Sequence, residues 1–127
     1  MDAIADTSLF VTVERERPLG GDVPDGVQVT VVTIAELALG TLTAADVEVR
    51  ARRLATLEHV RASFEPVPID EAAADAWARL VASLRARGRR APVNDAWIAS
   101  VAIARGLPVV TQDDDYDHMP GLAVIRV

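Results

Sequence analysis

The chain has 127 residues, half of them hydrophobic and a quarter charged, with a formal net charge of −6 and no cysteine. That balance suits one globular domain, residues 1–127, with a buried core; it excludes disulfides, thiol catalysis, zinc–thiolate centres and a nonspecific basic coat for nucleic acid. All thirteen basic residues are arginine, which also excludes a Walker-type phosphate lysine, a Schiff base and lysine-assisted phosphoryl transfer.

In chain order, DAIAD (2–6) reads as a short apolar strand ending in an acid, and TSLFVTVER (7–15) opens a helix. Residues 17–26 are rich in Gly, Pro and Asp and read as loop. VQVTVVT (27–33) is β-branched and reads as a buried strand, and TIAELALG (33–40) as a short helix stopped by Gly40. Thr43 is expected to cap a long helix to about Phe64. FEPVPI (64–69) reads as an edge strand because it carries two prolines. Asp70 caps the next helix, whose Trp77, Leu80, Val81 and Leu84 form an apolar stripe. RRAPV (89–93) is a loop, Asn94 caps a helix ended by Gly106, LPVV (107–110) is a strand and LAVIRV (122–127) the last one. No apolar run is long enough to span a membrane. The start MDAIAD has an acid at position 2 and no basic stretch, so it does not read as a signal peptide; the expected location is cytoplasmic.

Strands alternating with helices build a largely parallel sheet covered on both faces. In such sheets functional groups gather outside the carboxyl ends of the strands. Four acids fall there. Asp6 ends the first strand, Glu36 lies one turn into the helix after the second, and Asp113 follows the LPVV strand. Asp95 joins them if the loop before its helix crosses the same edge. Each has an ordinary reading as well: Asp6 and Asp95 as helix caps, Glu36 as a solvated surface charge, the DDD run at 113–115 as a polar turn. Yet Glu36 stands among Ile34, Ala35, Leu37, Ala38 and Leu39, a poor setting for a free charge. Crowded carboxylates raise one another's pKa values, a divalent cation relieves this, and hard oxygen ligands select Mg²⁺ or Mn²⁺.

IADTSLFV (4–11), TIAELALG (33–40), NDAWIASVAIARGLPVVTQDDDYD (94–117) and PGLAVI (120–125) together resemble the PIN-domain nucleases, most closely the VapC-type toxins of bacterial toxin–antitoxin pairs. The resemblance spans nearly the whole chain in order and spacing. It implies an α/β fold, a three-layer α/β/α domain around a mainly parallel sheet of four to five strands. It implies Mg²⁺-dependent cleavage of RNA by a metal-activated water, leaving 5′-phosphate and 3′-hydroxyl ends. Carried over by motif, the acids at the metal are Asp6, Glu36, Asp95 and Asp113, with Asp115 an alternative in the fourth place. Thr7, Ser8 and Thr111 would be the hydroxyls that hold them, and Tyr116 reads as a packing residue where the family usually has Phe. A VapB-type antitoxin and a homodimer are the implied partners.

Arg85, Arg87, Arg89 and Arg90 end a helix; they complement its dipole or hold RNA phosphates. A phosphoacceptor receiver or a haloacid-type phosphotransferase shares the alternating pattern, but both need a lysine. A PIN nuclease of RNA processing and a non-catalytic scaffold remain as alternatives. The four acids speak against the scaffold, and the compact chain favours the toxin.

Overall fold

The computed structural model describes residues 2–127. Four short strands form one parallel sheet: β1 (Asp2–Ala5), β2 (Gly26–Gln28), β3 (Val109–Thr111) and β4 (Val124–Arg126), in the order β2-β1-β3-β4. Five helices surround it: α1 (Thr7–Glu14), α2 (Val31–Thr43), α3 (Val47–Ser63), α4 (Glu71–Ala86) and α5 (Val93–Arg105). The two-residue period of the strands decides the layers. Ile4 and Val109 enter one core with Leu80, Leu84, Ile98 and Val101 of α4 and α5. Ala3, Ala5 and Val110 enter another with Leu9 of α1 and the chain end at Val127. A third cluster, Val29, Leu37, Leu57 and Val60, ties α2 to α3. No described helix is long and apolar enough to cross a membrane.

The central pair matters most for function. From β1 the chain goes to β2 on one side and later reaches β3 on the other. Between β1 and β3 the winding therefore reverses, and the two loops leaving their carboxyl ends diverge to leave a crevice.

The structure departs from local expectations in five places, the fifth at Gly40. The β-branched run at 27–33 is strand only to Gln28, because the Thr30 side chain accepts the Thr33 N–H at 3.4 Å and starts α2. Residues 64–69 contribute one parallel bridge, Val67 to Thr30, rather than a strand. Asp46, not Thr43, caps α3, accepting the Val49 N–H at 3.0 Å. The α5 cap is Pro92, with no side-chain bond, so Asn94 lies inside the first turn. Asp70 and Gly106 act as expected: Asp70 accepts the Ala73 N–H at 2.9 Å, and Gly106 closes α5 at φ 67°.

Gly40 does not stop α2. The Leu37 and Leu39 carbonyls receive the Thr41 and Thr43 hydroxyls, and the Gly40 carbonyl receives Arg53 of α3 at 2.8 Å. Packing on α3 outweighs the poor helix propensity of glycine. A methyl at Gly40 would meet only the Arg53 side chain, at ordinary contact distance of 3.9 Å. Gly40→Ala should thus stabilise the chain by roughly 0.5–1 kcal/mol. Gly106→Ala, in a left-handed conformation, should cost about 1–2 kcal/mol. Urea unfolding of the two variants checks the opposite signs.

Candidate functional site

The first strand delivers Asp6 to the crevice. Its N–H still bonds the Val110 carbonyl of β3 at 2.8 Å, so its backbone is fixed by the sheet. Asp6 is the residue before α1, yet its side chain makes no capping bond. It turns instead to Thr111 Oγ1, which donates to Oδ2 at 3.0 Å, and to Tyr116 Oη, which donates to Oδ1 at 2.7 Å. The carboxylate is only 2% exposed. The cap reading for Asp6 therefore fails.

Thr111 ends β3 and organises the loop after it. Its Oγ1 accepts the Asp113 N–H at 2.9 Å and lies 3.4 Å from Ser8 Oγ. Ser8 Oγ in turn accepts the Gln112 N–H at 3.2 Å. Thr7 donates to Glu36 Oε1 at 2.8 Å and takes a second contact from Thr33 Oγ1 at 2.8 Å. Glu36 is thus tied to the first helix rather than free in solvent. Thr7 bonds Glu36 and Thr111 bonds Asp6, whereas Ser8, among the described residues, bonds only Thr111 and the Gln112 N–H and none of the acids.

Asp95 sits in the first turn of α5 and is partly buried. Its Oδ1 lies 3.3 Å from the same Tyr116 Oη. A phenol has one proton, and the shorter contact directs it to Asp6. Burial first, then the charges of Asp6, Asp115 and Glu36, push the Asp95 carboxyl up to about 7, with Tyr116 pulling the other way. Asp113 is raised too, by burial, then by Asp6, Asp115 and Asp114, against Arg126. Burial and the charges of Asp6 and Asp95 hold the Tyr116 phenol protonated.

Asp113, Asp114 and Asp115 are all exposed and form the rim. Asp117 pairs with Arg126, the one ion pair among the described residues. The structure therefore brings together Asp6, Asp95 and, through Thr7, Glu36, with Asp113 and Asp115 close enough to act electrically. The four arginines at 85–90 lie outside this cluster, at the end of α4. Two groups were not anticipated. Tyr116 is fully buried and joins Asp6 to Asp95; a tyrosine inside an acidic turn was the available signal. Arg15 and Arg53 line a 250 Å³ cavity with Thr7 and Glu36, and nothing in their sequence context marks them.

Asp95 ionises less readily in the folded chain than in the unfolded one. The folded state binds the extra proton between about pH 4 and 7, so the associated stability is full below the unfolded value and lost as pH rises through about 7. Asp95→Asn should therefore gain thermal stability over the parent chain as pH goes from 4 to 7, without added metal. Melting curves across that range should diverge, then run parallel above it.

Residues 3–122 match the PIN domain family. The chain is 50% identical over 125 residues to ribonuclease VapC5 of Mycobacterium tuberculosis, covering 98% of this chain and 92% of the relative. It is 47% identical over 127 residues to ribonuclease VapC4 of the same organism, covering 98% and 96%. The crystal structure of VapBC-5 from Mycobacterium tuberculosis superimposes with TM-score 0.89 at 48% identity, covering 99% of this chain and 98% of that one. DNA-bound VapBC from Salmonella typhimurium, at 22% identity and TM-score 0.80, covering 98% and 97%, shares the fold. With its acids at the β1–β3 crevice and matches of this extent, the chain belongs to the PIN-domain family and, within it, to the VapC ribonucleases.

Proposed function

We propose that the chain is an endoribonuclease toxin of the cytoplasm that cleaves RNA with Mg²⁺, replaceable by Mn²⁺, and is restrained by a VapB-type antitoxin. One observation carries the metal reading. Buried Asp6 and partly buried Asp95 converge on a single phenol, and no arginine hydrogen-bonds or ion-pairs with either among the described residues. Such a site lacks a positive charge. Its donors are all oxygen, which suits a hard cation and not zinc or copper.

Asp6, Glu36 and Asp95 would hold the ion, with Asp113 completing the set and Asp115 as its alternative. No three of the described acids or histidines stand ready-spaced as a metal cage. Binding therefore draws the side chains inward or proceeds through water, which Mg²⁺ retains readily. When bound, the ion supplies Lewis-acid activation of water and offsets charge on the phosphoryl group. The protein's share is positional. Tyr116 and Thr111 fix Asp6, Thr7 fixes Glu36, and Asp95 can hold or release a proton near neutral pH. The similarity to VapC ribonucleases supports RNA as substrate.

The partner surface is separate. Leu39, Leu42 and Val47, at the turn between α2 and α3, are 60%, 77% and 82% exposed. An apolar antitoxin helix fits there, consistent with similarity to VapBC complexes.

Purified chain should cut RNA with Mg²⁺ and stop in excess EDTA. Asp6→Asn and Asp95→Asn should abolish cutting while retaining the fold. Asp113→Asn should do more damage than Asp115→Asn, since Thr111 pins the Asp113 backbone. The exposed Leu42→Asp should keep cutting yet escape a coexpressed antitoxin. Full cleavage in chelator, or in either of the first two variants, would sink the reading.

Tyr116→Phe removes the donor between the two buried acids. It should cost about 1–3 kcal/mol of stability and about 10–100-fold in metal affinity or activity. Titrating Mg²⁺ against cleavage distinguishes a positioning role, in which high metal restores rate, from simple unfolding.

A further inference from the structure

The end of α4 carries Arg85, Arg87, Arg89 and Arg90, all exposed and without a carboxylate partner among the described residues. On a chain of net charge −6 they make a local positive rim. Arg85, Arg89 and Arg90 line a 370 Å³ cavity whose remaining wall is largely apolar, with Trp77, Val81 and Val93. That volume sits at the lower end of small-ligand pockets, about 300–1,000 Å³, so it suits one nucleotide rather than a folded segment. The Trp77 ring is already held, stacked on Trp97 at 4.7 Å between centroids and 9° between planes.

The cavity shares the first turn of α5 with Asp95, although none of the acids lines it. Val93 and Ala96 of its wall flank Asp95 in the first turn of α5. On the other side, Arg87 and Arg89 share a second depression with His118 and with Asp117, whose carboxylate is taken by Arg126, in the loop that carries Asp113 and Asp115. The arginines thus run from the start of α5 to the acidic loop. An RNA strand entering a crowd of carboxylates is repelled there and needs cations close by. An aromatic and aliphatic wall beside guanidinium groups offers both parts of a nucleotide its partner: stacking for the base, bidentate bonds for the phosphate.

We propose that this cavity is a nucleotide subsite. It takes one base of the single-stranded RNA that the chain cuts, with Arg85, Arg89 and Arg90 on the flanking phosphates. The inference rests on the ribonuclease reading above.

The test uses the full chain carrying Asp6→Asn, so that labelled single-stranded oligoribonucleotides bind without being cut. Arg85→Gln with Arg89→Gln, both exposed, should weaken binding about tenfold near 0.1 M salt. The same pair should lower the slope of log affinity against log salt by roughly 0.7 per arginine. Arg85→Lys with Arg89→Lys should keep the slope. Trp77→Leu should weaken binding about tenfold with the slope unchanged. In the metal-loaded chain with Asp6 intact, the Gln pair should raise KM while holding kcat. Unchanged affinity, slope and KM in the folded Gln pair would overturn the subsite, whatever Trp77→Leu does. So would variants that change only the sedimentation of the protein, which would make the cavity an interface between copies. If the chain carrying native Asp6 fails to cut RNA with metal while the Gln pair still weakens binding, the ribonuclease reading falls and the cavity is left as a site that binds single-stranded RNA without cleavage.

Discussion

The buried carboxylate of Asp6 is the interaction on which this molecule is organised. It is 2% exposed and is held by two hydroxyls, Thr111 and Tyr116, with no arginine bonded to it among the described residues. Burying a charge is costly unless it is hydrogen-bonded or paired. The fold therefore has to bring two donors from a loop over a hundred residues away. It does so by placing β1 beside β3, so that the end of one strand faces the loop leaving the other. The parallel order, the short strands and the buried phenol all serve that meeting.

Around Asp6 the charges remain in conflict. Asp95 and Asp113 are both harder to ionise than free aspartates, first because they are drawn out of water and then because neighbouring acids repel their charge. The strain in the cluster and its fit to a hard cation thus have one cause, carboxylates crowded without a counter-charge. The helix N-terminus under Asp95 helps somewhat, since it favours negative charge in the first turn. It does not overcome burial and the neighbouring acids.

The surface divides into three chemical zones. Acids occupy the carboxyl edge of the sheet, arginines the end of α4, and bare aliphatic side chains the turn between α2 and α3. These zones suit a cation, a polyanion and an apolar helix respectively.

Much of this was legible from the sequence. Strand-end acids are written locally: an apolar run, then a carboxylate, at an edge that parallel sheets always build. Gly106 and the Asp70 cap were legible for the same reason, because each depends on a few adjacent residues. Gly40 was misread, since its helix continues only through contacts with Arg53 and the α3 core. The run at 27–33 has strand chemistry throughout, but β1 pairs with just its first residues and only the single bridge from Thr30 to Val67 follows. Tyr116 looked like packing. Its hydroxyl bonds to Asp6 across 110 positions of sequence, and the arginine cavity likewise needs α4 laid against α5. Sequence alone determined which residues carry charge and those element ends that rest on adjacent residues, such as the Asp70 cap and the Gly106 stop, because these follow from short-range sterics and hydrogen bonding. Only the tertiary structure decided which of them touch, because contact between distant residues depends on how the elements pack, and no local pattern encodes that.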